Sequence, residues 1–136
     1  IVLTFDVDSD DFTRAGEASS RLKRTLKQMG LPPDIIRRIS IVMYEGEINM
    51  VIHAHGGKIT VTVDDDAVTM VLADVGPGIP DVEKAMQAGW STASEAVRQQ
   101  GFGAGMGLPN MKKNADTLEI DTVVGVGTTV TAVVRL

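Results

Sequence analysis

Cysteine is absent from the 136 residues, which removes disulfides, thiolate chemistry and cysteine-held zinc, and fits the reducing cytoplasm in which we expect the protein to work. Histidine is scarce, and His53 and His55 alone fall short of an ordinary zinc ligand set. No apolar run approaches the roughly 18 residues that a membrane helix needs. There is no basic excess either. Thirteen Lys and Arg against eighteen Asp and Glu give a net charge of -5, which argues against nucleic acid or an anionic membrane as the main partner. Internal repeats and low-complexity linkers are also missing, so residues 1–136 suit a single domain with one core. The chain opens on Ile1 rather than methionine, as a fragment or processed form would, and nothing follows about a targeting segment.

What is present is a regular succession of element signals. IVLTFD (Ile1 to Asp6) reads as a strand, and Ser9, Asp10 and Asp11 supply capping material for an amphipathic helix over Phe12 to Met29, stopped by Gly30. After the rigid Leu31-Pro32-Pro33, Asp34 is expected to cap a more apolar helix that reaches about Ala54 and ends at Gly56-Gly57. KITVTV and AVTMVLA around Asp64-Asp65-Asp66 make a hairpin, and DVGPGIP (Asp74 to Pro80) is a shaped loop. A short helix at about 81–88 precedes a polar, irregular stretch over 89–105 whose length is typical of lids. A helix over Gly107 to Asn114 and a final hairpin, Thr117 to Val123 and Thr128 to Arg135, complete the chain. This order predicts an α+β fold with a mostly antiparallel sheet and helices on one face.

Four patterns carry candidate chemistry. Glu45, Asn49 and His53 follow one another every fourth residue, so they run along one side of the second helix. Alone, that spacing is also that of a solvent-facing stripe. Asp74 ends an apolar strand where a carboxylate can accept a hydrogen bond from a ligand amine, although a turn aspartate would look the same. Gly76 and Gly78 let backbone approach a flat ligand, with Pro77 stiffening the approach. GFGAGMGL places Gly103, Gly105 and Gly107 before a helix whose first amides can hold an anion, or else forms a hinge. It matches neither a Walker loop nor a dinucleotide fingerprint.

In combination, Glu45-x-x-x-Asn49, Asp74-x-Gly76-x-Gly78, Gly103-x-Gly105-x-Gly107 and Gly127-Thr128-Thr129 resemble the N box, two glycine boxes and terminal threonine of the ATPase superfamily shared by gyrase, heat-shock chaperones, histidine kinases and mismatch-repair proteins. The stretches EGEINMVIHAHGG, DVGPGIPD, AGWSTASE and GFGAGMGLPNMKK look most similar to the bacterial anti-sigma-factor serine/threonine kinases and their stress-signalling relatives.

The resemblance implies a two-layer α/β sandwich of the Bergerat type with an ATP lid at about 89–105. It implies ATP or ADP and Mg²⁺ as cofactors, with Asn49 on the metal and Asp74 receiving the adenine amino group. Gly76, Gly78 and Ile79 would border the base, and His53 would complete the stripe beside the nucleotide. Gly103 and the amides of Gly105, Met106, Gly107 and Leu108 would surround the phosphates, with Thr129 supporting the adenine contact through water. Glu45 would orient or deprotonate the attacking hydroxyl, and Arg98 would be a charge partner in the lid. The implied activity is phosphorylation of a Ser or Thr on a small antagonist protein, with a sigma factor or phosphatase as a second partner. Two other readings stand beside it: a nucleotide-controlled binding module without phosphotransfer, and the detached catalytic domain of a histidine kinase. Homodimerisation through the first helix is equally consistent with its amphipathic spacing. Gly46 is unusual mid-helix, where it costs roughly 1 kcal/mol relative to Ala, and close packing is the expected reason.

Overall fold

The connector Leu31-Pro32-Pro33 sets the register of everything after it. Pro32 is the N-cap of the longest helix and Pro33 its first residue, where a missing N–H costs nothing and a fixed φ is already helical. Asp34, expected to be the cap, instead lies in the first turn and pairs with Arg37 at 3.0 Å. The computed structural model describes residues 1–8, 15–54, 56–79, 82, 86 and 107–136. Over these the order is β1 (Val2–Val7), α1 (Glu17–Gln28), α2 (Pro33–His53), β2 (Gly57–Val63), β3 (Ala67–Asp74), α3 (Gly107–Asn114), β4 (Thr117–Val123) and β5 (Gly127–Arg135). The short helix expected at 81–88 lies largely outside the described residues, although Met86 N–H donates to Val82 C=O at 3.0 Å, and the expected lid at 89–105 lies wholly outside them.

The strands form one five-stranded sheet in the order β1-β2-β3-β5-β4, and every pairing among them is antiparallel. The period of two sorts their side chains. Phe5, Ile59, Val61, Met70, Leu72 and Ala132 share the face covered by the helices and are buried, whereas Thr60, Thr62, Thr69 and Thr131 share the other face and are half-buried. This is the expected α+β sandwich, with α2 lying on β1, β3 and β5 between α1 and α3. Its central position explains its composition. From Val42 to Val51 every residue is buried except Tyr44, Glu45 and Asn49.

Gly46 is what lets α2 sink so close. A Cβ there would collide with the Leu72 side chain and stand 3.2 Å from the Met111 Cε. The expectation of close packing at this position therefore has a physical cause in two fully enclosed neighbours.

The start of α1 departs from its sequence signal. Ser9 to Phe12 lie outside the described residues, and the helix begins at Glu17 behind Gly16, whose φ of 91° suits glycine and which has no side chain to cap with. The cap comes from another helix: Glu47 of α2, 3% exposed, accepts the backbone N–H of Ala18 at 3.2 Å and of Ser19 at 3.1 Å. A carboxylate at a helix N-terminus satisfies orphan amides and complements the helix dipole. Burial nonetheless raises the Glu47 pKa above its ordinary value, more than those amides lower it.

Two substitutions test this packing. Gly46→Ala improves helix propensity by up to about 1 kcal/mol, yet overpacking against Leu72 and Met111 should leave a net loss of roughly 1–2 kcal/mol in urea unfolding. A stabilised variant would show that Leu72 yields freely. Glu47→Gln keeps one acceptor but turns its amide donors toward the second N–H, so it should cost about 1–3 kcal/mol at pH 7. A raised folded-state pKa means the native chain binds the extra proton more tightly, so Glu47 lowers stability as pH rises from the ordinary glutamate value of 4.5 through the raised one. Stability curves of Glu47→Gln should be flatter across that window.

Candidate nucleotide site

The stripe that α2 leaves open sits over the start of α3. Asn49 is half-buried, and its side-chain amide lies so close to the Gly107 backbone that a Cβ on Gly107 would stand 2.7 Å from Nδ2 and 2.8 Å from Oδ1. Glu45, one turn earlier, receives a long hydrogen bond of 3.4 Å from the Asn110 amide on α3. The α2 stripe and the end of the second glycine cluster are thus brought together. The position of α3 is fixed from α2 as well: Arg38 Nε donates to the Asn114 carbonyl at 3.0 Å, a cation at a helix C-terminus, and its guanidinium pairs with Asp116 at 3.3 Å. Leu108 and Met111 anchor α3 in the core.

The second half of the site is built at the end of β3. Asp74 is half-buried on the helix-covered side of the sheet, and its Oδ1 accepts the Thr128 backbone N–H at 2.9 Å. Burial pushes its carboxyl above the usual aspartate value, and the Thr128 amide pulls it back in part. The loop that follows is pinned on the β4–β5 turn: Gly76 N–H donates to Val126 C=O at 3.1 Å, Gly125 N–H to Pro77 C=O at 2.8 Å, and Ile79 N–H to the Thr122 hydroxyl at 2.8 Å. Gly78 has φ 75°, and a Cβ there would stand 2.7 Å from the Val123 carbonyl, so this position requires glycine for conformation and for space. The first glycine loop is therefore a fixed rim, held by its own backbone bonds.

Glu45, Asn49, Asp74, Gly76, Gly78, Ile79, Gly107 and Leu108 all fall at these two edges. Leu108 is 8% exposed, so its side chain belongs to the core and only its backbone is available to a ligand. His53 is the last residue of α2. Gly103, Gly105, Met106 and Arg98 lie outside the described residues. Thr129 requires a correction. It pairs with Ala73 across the sheet, and alternation turns it to the face away from Asp74. The threonine on the Asp74 side is Thr128, which is 6% exposed and shares a 2.9 Å hydroxyl contact with Thr122.

Thr122 and Asn110 were not among the candidates from sequence. The parity of the final strand, counted from the apolar Val130, Ala132 and Val134, would have identified Thr128, and Asn110 stands three residues after Gly107 on a helix known to face the site. Among the described residues no group of three or more His, Cys, Asp or Glu side chains is placed to hold a metal ion. An ion at Asn49 would thus depend on one amide oxygen, with its other ligands coming from phosphates and water, a donor set that suits Mg²⁺.

Known proteins resemble the chain over most of its length. The histidine kinase-like ATPase domain model matches residues 9–134. The chain is 37% identical over 100 residues to an anti-sigma F factor of Caldanaerobacter subterraneus subsp. tengcongensis, an alignment covering 70% of this chain and 66% of that protein. It is 31% identical over 121 residues to the serine/threonine-protein kinase RsbT of Bacillus subtilis, covering 85% of each. An anti-sigma F factor of Bacillus licheniformis is 32% identical over 111 residues, covering 77% of this chain and 73% of the relative.

The contact between Asn49 and Gly107 gives a direct test. Gly107→Ala should unfold at nearly the wild-type urea midpoint, because alanine raises helix propensity at the half-buried first turn of α3 and offsets the crowding, but it should displace the Asn49 amide and weaken ATP binding by roughly tenfold or more, about 1.4 kcal/mol. Unchanged affinity in calorimetric titration would show that Asn49 moves without consequence.

Proposed function

The chain belongs to the histidine kinase-like ATPase family, and on that premise we propose that it is an ATP- and Mg²⁺-dependent serine/threonine protein kinase that phosphorylates a small antagonist protein in a partner-switching pathway. The observation that most supports this reading is the packing of the Asn49 amide on the Gly107 backbone with Glu45 one turn away, because an amide oxygen, the first turn of α3 and a carboxylate then lie at one edge, the groups that phosphoryl transfer would call on.

In this reading Asp74 accepts the adenine amino group, held in orientation by the Thr128 amide, while Gly76, Gly78 and Ile79 border the base. Thr128 takes the supporting role that the sequence suggested for Thr129. Asn49 would hold Mg²⁺, which supplies charge neutralisation at the phosphates when bound. The amides of Gly107 and Leu108 at the start of α3 would receive phosphate oxygens, together with those of Gly105 and Met106 just before them in sequence. Glu45, steadied by Asn110, accepts the proton of the Ser or Thr hydroxyl as that oxygen bonds to the terminal phosphorus and the bond to the departing ADP breaks. Positioning and fixed dipoles carry most of such a reaction, so few protein groups need to do chemistry. A sigma factor or phosphatase would be the second partner, released or engaged according to the phosphorylation of the antagonist.

Calorimetric titration with ATP and ADP, with and without Mg²⁺, tests the nucleotide half of this reading. Wild type should bind at micromolar concentration, Asp74→Asn should lose binding, and Asn49→Ala should bind without regard to magnesium. Glu45→Ala should keep nucleotide affinity and lose phosphoryl transfer from labelled ATP to the acceptor protein by about 10²–10⁴-fold. Transfer that survives in Glu45→Ala would remove the carboxylate from the mechanism. Partner switching that survives without any transfer would make the protein a nucleotide-controlled binding module.

A further inference from the structure

The two antiparallel helices α1 and α2 leave a groove of about 780 Å³ on their outer side, and Glu45 and Tyr44 close one end of it. Its floor is apolar, with Ile36, Ile41 and Leu31 along the length and Tyr44, 41% exposed, at the end beside Glu45. The rim is basic: Lys23 and Lys27 stand one turn apart on α1, and Arg37 faces them from α2. Neither lysine has an ion-pair partner among the described residues, and Arg37 is held only by the exposed Asp34. On a chain of net charge -5 this is a local reversal of sign. The Ser40 hydroxyl lines the same groove, buried and without a hydrogen-bond partner, although its carbonyl already accepts the Ser19 hydroxyl at 3.2 Å.

We propose that this groove docks an acidic, apolar-spaced segment of the protein whose Ser or Thr is phosphorylated, laying it along α2 so that its acceptor hydroxyl arrives at Glu45. The proposal rests on the kinase reading above and adds the chemistry of the substrate. Charge complementarity selects the occupant: carboxylates meet Lys23, Lys27 and Arg37, and an apolar side chain seats against Ile41 and Tyr44. Along the helix axis, Arg37 and Glu45 are eight residues apart, about 12 Å at 1.5 Å per residue, so the acidic residues fall roughly four positions from the acceptor in an extended segment or two turns away in a helical one. A rim of charge mainly sets which partners associate and how fast, and a seated apolar anchor sets how long they stay.

Fluorescein-labelled peptide pools with one central serine test the assignment, one pool flanked by Glu and Leu, the other by Lys and Leu. Anisotropy titrations would compare wild type, Lys23→Glu/Lys27→Glu, and Lys112→Glu/Lys113→Glu, which reverses an exposed basic pair at the end of α3. The Glu/Leu pool should bind wild type at least about tenfold more tightly than the Lys/Leu pool. Reversal on α1 should abolish that preference, and reversal on α3 should leave it. Pools that bind alike, or two reversals that act alike, would overturn the proposal. So would self-association in sedimentation that only the α1 reversal disrupts, since the groove would then hold a second copy of the chain. ATP titration of the same proteins keeps the two readings apart: intact ATP binding with indifferent peptides defeats the groove alone, and absent ATP binding in folded wild type defeats the kinase reading beneath it.

Discussion

How closely α2 can approach its neighbours governs the whole arrangement, and two missing side chains set that distance. Gly46 allows the helix to lie on Leu72 and Met111, and Gly107 allows the first turn of α3 to press against Asn49. With an ordinary side chain at either position, α2 or α3 would stand off and the stripe of Glu45 and Asn49 would open onto water instead of onto helix-start amides. Interiors packed to crystal density transmit such a displacement, because no void is available to absorb it. The helix propensity lost at Gly46 is the local cost of a tertiary contact.

Alpha-2 also connects regions that the sequence keeps far apart. On the sheet side it buries apolar residues, toward α3 it presents Glu45 and Asn49, and toward α1 it extends Glu47 to cap a helix whose own N-cap is a glycine. Three consecutive odd-numbered positions, Glu45, Glu47 and Asn49, therefore serve two different neighbours, because alternate residues on a helix point some 200° apart. Any shift of α1 pulls on the same turn of helix that carries the candidate base. The groove between the two helices ends at that turn too, so docking there and chemistry at Glu45 would share one rigid element.

The fixed rim formed by the first glycine loop differs in kind. Its amides bond to the β4–β5 turn and to Thr122, so its shape follows from backbone pairing and from the positive φ of Gly78. A loop held this way presents Asp74 in one orientation before any ligand arrives, and preorganisation of that sort reduces the entropy lost on binding.

Much of this was readable from sequence because the signals are local. Alternation in KITVTV and AVTMVLA, the four-residue spacing of Glu45 and Asn49, and the glycines around Asp74 and before α3 each report on their own segment, and together they specified the α+β sandwich and the two edges of a candidate site. What failed depended on partners distant in the chain. Alpha-1 begins at Glu17 because Glu47, some 29 residues later, supplies its cap, and Asp34 is no cap because Pro32 and Pro33 already start α2. Thr128 rather than Thr129 meets Asp74 because strand register decides which of two adjacent side chains faces the helices. Asn110 reaches Glu45 only because Arg38 and Met111 hold α3 against α2. Composition and periodicity thus determined which elements form and which residues are candidates for chemistry, whereas the pairing of those residues was decided by packing, since a hydrogen bond or close contact between remote segments leaves no periodic trace in either.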